Sequence, residues 1–330
     1  MMTTPPRPSR RPRGLAAAAL ALLAALALAG CGGGDDAPPP NPARDAAEQM
    51  RLRLHADDVE RWRATRLERL RAPDGWLSVS GLTWLDPGRR FAGASASNVL
   101  QLASGPPMLG LFDVREEGVW FTPERGVSLT LDGEPLARGT VRLRTDRDEG
   151  GASVIGFADG GRALVVERGG RRALRLYSPD APGLRDFQGL EHFPTDIGWR
   201  LEARFEPAEP GATLALGDLM GYTEQLPLAG SVVFERDGAE HRLQAVDEGD
   251  GLLLLVFGDL TSGHSTYGQG RYLYAERGSD PAAPLTLDFN LAYNPPCVFS
   301  NHASCLFAPA DNRLPLRIEA GEKRYLGGAR

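Results

Sequence analysis

The side chains best able to do chemistry crowd between Gly258 and Lys323. Asp259 follows the apolar run Leu252–Phe257 after Gly258 and leads into the turn Thr261-Ser262-Gly263. A carboxylate in that position can cap its own loop by accepting backbone N–H bonds, or stand at a pocket mouth as ligand or base. Arg271 sits between Gly270 and Tyr272. Its planar guanidinium can grip a carboxylate or phosphate through two parallel bonds, or pair internally with Asp259 or Asp288. Tyr267 and Tyr293 can wall an apolar cleft with a polar tip, or simply fill core. Asn290 and Asn294 precede Pro295-Pro296. Two amides there can satisfy loop backbone, or recognise a sugar or peptide. Asp259, Tyr267, Arg271, Asp288, Asn290, Tyr293 and Asn294 are therefore the candidate ligand-binding residues.

Cys297, His302 and Cys305 have zinc-ligand chemistry but not zinc-ligand spacing, and a closed site needs a fourth ligand. A disulfide between Cys297 and Cys305 is the favoured reading, with a metal site and free thiols as the alternatives. The chain has no GxSxG, HExxH or GxxxxGK[ST] sequence, and no cofactor signature. Ser262 and His264 are neighbours in sequence, which does not make a catalytic triad. His192 can face a cleft, lie in the core or stay exposed. Glu319 and Glu322 can share acid–base work if their environments split their pKa values.

These residues need a scaffold, and the pattern around them is β. Leu201, Ala203 and Phe205 alternate with charged neighbours, as on a strand with one wet face. Ala163–Glu167 and Ala173–Tyr177 flank Gly169-Gly170, while Val232–Glu235 and Arg242–Val246 flank Asp237-Gly238; both pairs predict hairpins. Asp132-Gly133 and Asp250-Gly251 mark further turns. With 40 glycines and 26 prolines, the chain predicts a mainly β fold: an antiparallel barrel or sandwich. The β-rich region spans 73–323, as one domain or as two subdomains divided near 178–183, and 324–330 form a tail. Arg44–Arg71, free of Gly and Pro, predicts one amphipathic helix over 44–72, with Val59, Trp62, Leu67 and Leu70 toward the domain.

The amino-terminal 30 residues have the layout of an export signal: Arg7, Arg10, Arg11 and Arg13, then an Ala/Leu run, then Leu28-Ala29-Gly30-Cys31. That layout predicts lipidation at Cys31, with residues 31–43 as a tether. Gly32, rather than Asp, follows Cys31, which favours the outer membrane, with the domain facing the periplasm. Oxidising surroundings would then favour the Cys297–Cys305 bridge. The formal charge of -6 argues against nucleic acid as a partner.

The phrases GWLSVSGLTWL, TYGQGRYL, DFNLAYNPPC and NRLPLRIEAGEK resemble a bacterial family known only as domain of unknown function 1684. The resemblance runs from about Trp76 to Lys323. Family members usually carry Pro after the second cysteine, where this chain has Leu306. The resemblance implies no reaction. The expected function is a binding module for a small polar ligand, glycan or envelope partner. A cofactor-independent hydrolase with its site in the Gly258–Asn294 loops, or a structural envelope protein, are the alternatives.

Overall fold

The computed structural model describes residues 42–327, apart from 220, 279 and 281. The expected export signal, Cys31 and nearly all of the expected tether lie outside the described residues. The long helix α1 spans Pro42–Arg71. It starts with Pro, whose missing N–H costs nothing in the first turn. Residues 42–54 are exposed throughout, and the buried face begins at His55. His55, Val59, Arg66 and Leu70 are buried and Trp62 and Leu67 are half-buried. The spacing of 55, 59, 62, 66 and 70 is a helical stripe. Two of its five members are basic, so apolarity alone outlines it poorly.

Two β bodies follow. The first comprises β1 (Val79–Trp84), β2 (Gly88–Gly93), β3 (Leu100–Gln101), β4 (Gly110–Arg115), β5 (Gly118–Pro123), β6 (Leu129–Leu131), β7 (Glu134–Pro135), β8 (Val141–Leu143), β9 (Val154–Phe157), β10 (Arg162–Arg168) and β11 (Arg171–Tyr177). They form one sheet in the order β1-β11-β10-β9-β6-β7 and another in the order β3-β2-β4-β5-β8. Phe112, Phe121, Ile155, Val165, Leu174 and Leu176 fill the space between these sheets. That burial is the main force holding them together.

The short helix α2 (Pro182–Arg185) packs on residues 76–78 and on β1. The second body comprises strands β12 (Arg200–Pro207), β13 (Thr213–Gly217), β14 (Thr223–Arg236), β15 (Ala239–Asp247), β16 (Leu252–Phe257), β17 (Arg271–Glu276) and β18 (Leu285–Asp288). Six strands run β17-β16-β15-β14-β12-β18, antiparallel, and β13 pairs with β14. The outer strands β17 and β18 approach each other, so the sheet curls into a nearly closed barrel. Alternate residues from each strand, among them Phe205, Phe234, Leu255, Leu273 and Leu287, point inward. On β16 the other set, Leu254 and Val256, is buried as well, with Tyr272, Tyr293 and Leu306. Burial on both faces is why β16 reads as an unbroken apolar run.

The turns follow their chemistry. Asp132, Asp237 and Asp250 have positive φ of 53°, 53° and 51°, each followed by a Gly also at positive φ. Two successive left-handed residues suit the twist of a tight antiparallel connection, and Asp-Gly supplies them at little steric cost. The fold is thus mainly β and antiparallel, with one long amino-terminal helix. Among the described residues no helix is long and apolar enough to cross a membrane.

Cys297 and Cys305 form a disulfide, with Cα atoms 5.7 Å apart. It closes the irregular loop that meets Trp76, Leu77 and Tyr177. Replacing both cysteines by serine is expected to cost about 2–3 kcal/mol, the chain-entropy value for so short a loop. A urea midpoint unchanged by the double substitution would contradict this.

Candidate functional site

The residues singled out in the sequence gather into three polar clusters, each anchored in the fold. Asp259 follows β16 and is buried. Its carboxylate accepts the N–H of Ile318 at 2.8 Å and the Thr261 hydroxyl at 2.8 Å. Arg271, at the start of β17, lies 3.6 Å from it. Arg271 also donates to the Ala320 carbonyl and, at 3.0 Å, to that of Ile318. Asp259 thus caps its loop and neutralises an internal arginine. Of the two acids weighed as partners for Arg271, it is Asp259 that pairs.

Asp288 ends β18 and meets His55 of α1 at 2.7 Å. It also caps the next turn by accepting from the Asn290 N–H at 3.0 Å. The Asn290 amide bonds both backbone groups of Asp196, at 2.9 and 2.8 Å. In the third cluster, Glu322 accepts from Arg66 Nε at 3.1 Å, the Asn294 N–H at 2.7 Å and the Asn294 amide at 3.0 Å. Arg66 donates to the Asn294 carbonyl and covers the Tyr293 ring, 4.5 Å from its centroid. Burial pushes the Tyr293 hydroxyl well above its ordinary range. Tyr267 is half-buried, its hydroxyl 3.7 Å from Cys297 Sγ. Glu319 faces outward to Arg317 at 2.8 Å while Glu322 is enclosed, so those two glutamates do not share a site.

Asp259, Arg271, Asp288, Asn290, Tyr293 and Asn294 are therefore buried and bonded to the protein itself. Sequence reading missed their partners His55 and Arg66, which lie more than 200 positions away. A shallow cleft of about 180 Å³ lies along Arg200, Leu201, Glu202 and Pro284–Thr286 and holds none of the candidates.

A different constellation appears where the two β bodies meet. Arg175 and Tyr177 of β11 alternate with Leu174 and Leu176, which face the sandwich core, so they look the other way. On that side Tyr177 packs with Trp76, Phe299 and Ala303, joining the first body to the disulfide loop. Arg175 lies over the Trp76 ring, 4.8 Å from its centroid. Nearby, Asp146 accepts from Arg168 at 2.6 Å and from the Glu167 N–H at 2.8 Å. Burial acts to raise the Asp146 pKa, but the Arg168 cation and these bonds contribute to holding it at about 2. The Ser304 hydroxyl bonds Asp218 on the far side of the loop.

Two histidines border these regions, and both have lowered pKa values. Burial is the first cause for each. Arg63 and Arg66 add to it at His192, against the pull of Glu322, and Arg175 adds to it at His302. Below the ordinary 6.5, unfolded histidine takes up a proton that the folded protein resists. Stability should therefore fall as pH drops through 6.5 toward the folded values. Asp146 contributes a separate loss only below its ordinary 3.8. The His192→Gln/His302→Gln variant should lose less stability than wild type between pH 7 and 5.5. Equal losses in urea titrations at the two pH values would refute this assignment.

The architecture defines a class: a helix-braced pair of β bodies with a polar junction. Residues 185–323 match the family described as "Protein of unknown function (DUF1684)". The match covers most of the second body and begins after GWLSVSGLTWL, so it is narrower than the span from Trp76. No curated protein matches the chain. Among solved structures, an uncharacterized protein of Haloarcula marismortui determined by solution NMR is 32% identical over 44% of this chain and 82% of that one. Its TM-score is 0.37, and a likeness of that degree carries no argument about architecture.

Proposed function

We propose that this is an exported lipoprotein, anchored through Cys31 to the outer membrane and facing the periplasm, that binds a small polar ligand where its two β bodies meet. The anchoring half of the reading rests on the basic, apolar and small-residue layout of residues 1–31. One observation carries the binding half. Trp76, Arg175 and Tyr177 from the first body converge on the loop carrying Phe299, His302 and Ala303 from the second. Ligand sites favour such junctions, where apolar walls surround a few fixed polar groups.

In the Gly258–Asn294 loops, Asp259, Arg271, Asp288, Asn290 and Asn294 bond to the protein itself, to α1 and the carboxy-terminal segment among other partners. The test is native mass spectrometry of the full-length protein released from membranes in detergent, followed by denaturation. The expected result is an acylated chain with an adduct that denaturation removes. An acylated chain without adduct, and without a thermal shift from organic acids, sugars or peptides, would overturn the binding half. Cys31→Ser protein that stays in the membrane fraction would overturn the anchoring half.

A further inference from the structure

Three arginines are buried among the described residues: Arg66 at 7% exposure, Arg175 at 4% and Arg271 at 1%. Arg66 has Glu322 and Arg271 has Asp259. Arg175 has no carboxylate within ion-pair distance among the described residues. The acid that acts on it, Asp146, is bound to Arg168. Arg168 already holds that carboxylate, so Arg175 has no counter-charge of its own among the described residues. The Trp76 ring and the neighbouring Tyr177 hydroxyl favour the cation but do not neutralise it. Arg175 Nε is enclosed and has no hydrogen-bond partner. A guanidinium carries five N–H donors in a fixed fork, and a buried charge without a counter-charge is strongly unfavourable.

We propose that Arg175 is the anchor of a binding site for a monoanionic carboxylate at the junction of the two β bodies. The inference rests on the binding-module reading and names its ligand class. One carboxylate supplies the counter-charge that Arg175 lacks among the described residues. Its planar pair of oxygens matches the fork, and a small organic acid would bring an apolar remainder to Trp76 and Phe299. Phosphate in its dianionic form would bring a second charge that Arg175 alone does not neutralise.

The experiment titrates the full-length protein in detergent with acetate, benzoate and inorganic phosphate, by calorimetry, in wild type and in Arg175→Met. Arg175→Met keeps the length and packing of the stem while removing the charge. Saturable 1:1 carboxylate binding that weakens at least tenfold in Arg175→Met, with phosphate weaker than carboxylate, is the expected result. Carboxylate binding unchanged in a folded Arg175→Met protein overturns the site, as does phosphate binding tighter than both carboxylates.

Should Arg175→Met fail to fold, wild-type NMR decides. One buried arginine Nε–H resonance should move with acetate while those of the paired Arg66 and Arg271 stay fixed; no movement overturns the inference. An adduct in native mass spectrometry that is not an acid, with no carboxylate binding, leaves the binding module standing and removes this site. Neither adduct nor binding removes both.

Discussion

Asp259→Asn is expected to lower the free energy of unfolding by about 3–5 kcal/mol, the cost of leaving a buried cation without its partner. The side chain stays the same size, and its amide oxygen can still accept the Ile318 N–H. What is lost is the charge facing Arg271, which is 1% exposed. Burial already opposes the Arg271 charge, and Asp259 is the first influence that offsets it. Arg271 also holds the Ile318 and Ala320 carbonyls, so its strain spreads to the segment that closes the second body. Asp259→Asn/Arg271→Met removes both charges and should recover much of the loss, because a buried pair replaced as a unit is far less harmful than a pair half-removed. Urea unfolding of wild type, both single variants and the double variant gives the coupling directly. An Asp259→Asn loss under about 1 kcal/mol, with no recovery in the double variant, would show that solvent rather than Asp259 neutralises Arg271.

How much of this was legible beforehand depended on range. The β16 run, the alternation on β12 and the Asp-Gly turns are local, and each predicted its element. The 44–72 helix was legible from composition, but its docking was not. His55 and Arg66 occupy buried stripe positions because Asp288 and Glu322 meet them there. Nothing near His55 or Arg66 in sequence announces those acids. The same limit hid Arg175. On β11 it stands among Arg171 and Arg172 and reads as one more wet-face arginine. Its burial comes from distant parts of the chain packed on that face, Trp76 among them. Conversely, the unusual residues of the Gly258–Lys323 segment read both as loop caps and as ligand groups, because polar side chains in irregular loops serve ligands and backbone equally well.

Glu322→Gln is expected to act locally where Asp259→Asn acts globally. Glu322 is fully buried and joins three groups: Arg66 on α1, and the backbone N–H and side-chain amide of Asn294. Glutamine has one acceptor oxygen and no charge, so it cannot serve both Arg66 and Asn294. Arg66 is then left buried over Tyr293 and Phe299 without a counter-ion. Unlike Arg271, however, Arg66 has an escape. It rides on a helix whose first 13 residues are already exposed and whose buried stripe is held at His55, Val59, Arg66 and Leu70. Lifting α1 rehydrates Arg66 while the barrel core around Phe234, Phe257 and Phe289 stays packed. The penalty of about 3–5 kcal/mol should therefore appear as easier opening of α1. In hydrogen exchange of the full-length protein, amides of residues 55–71 should lose about two to three and a half decades of protection, at 1.4 kcal/mol per tenfold, while those of β16 change little. Equal loss of protection in β16 and α1 would mean that the helix and barrel open as one unit. In that case Glu322 would be a core ion of the whole fold and not the clasp of its helix.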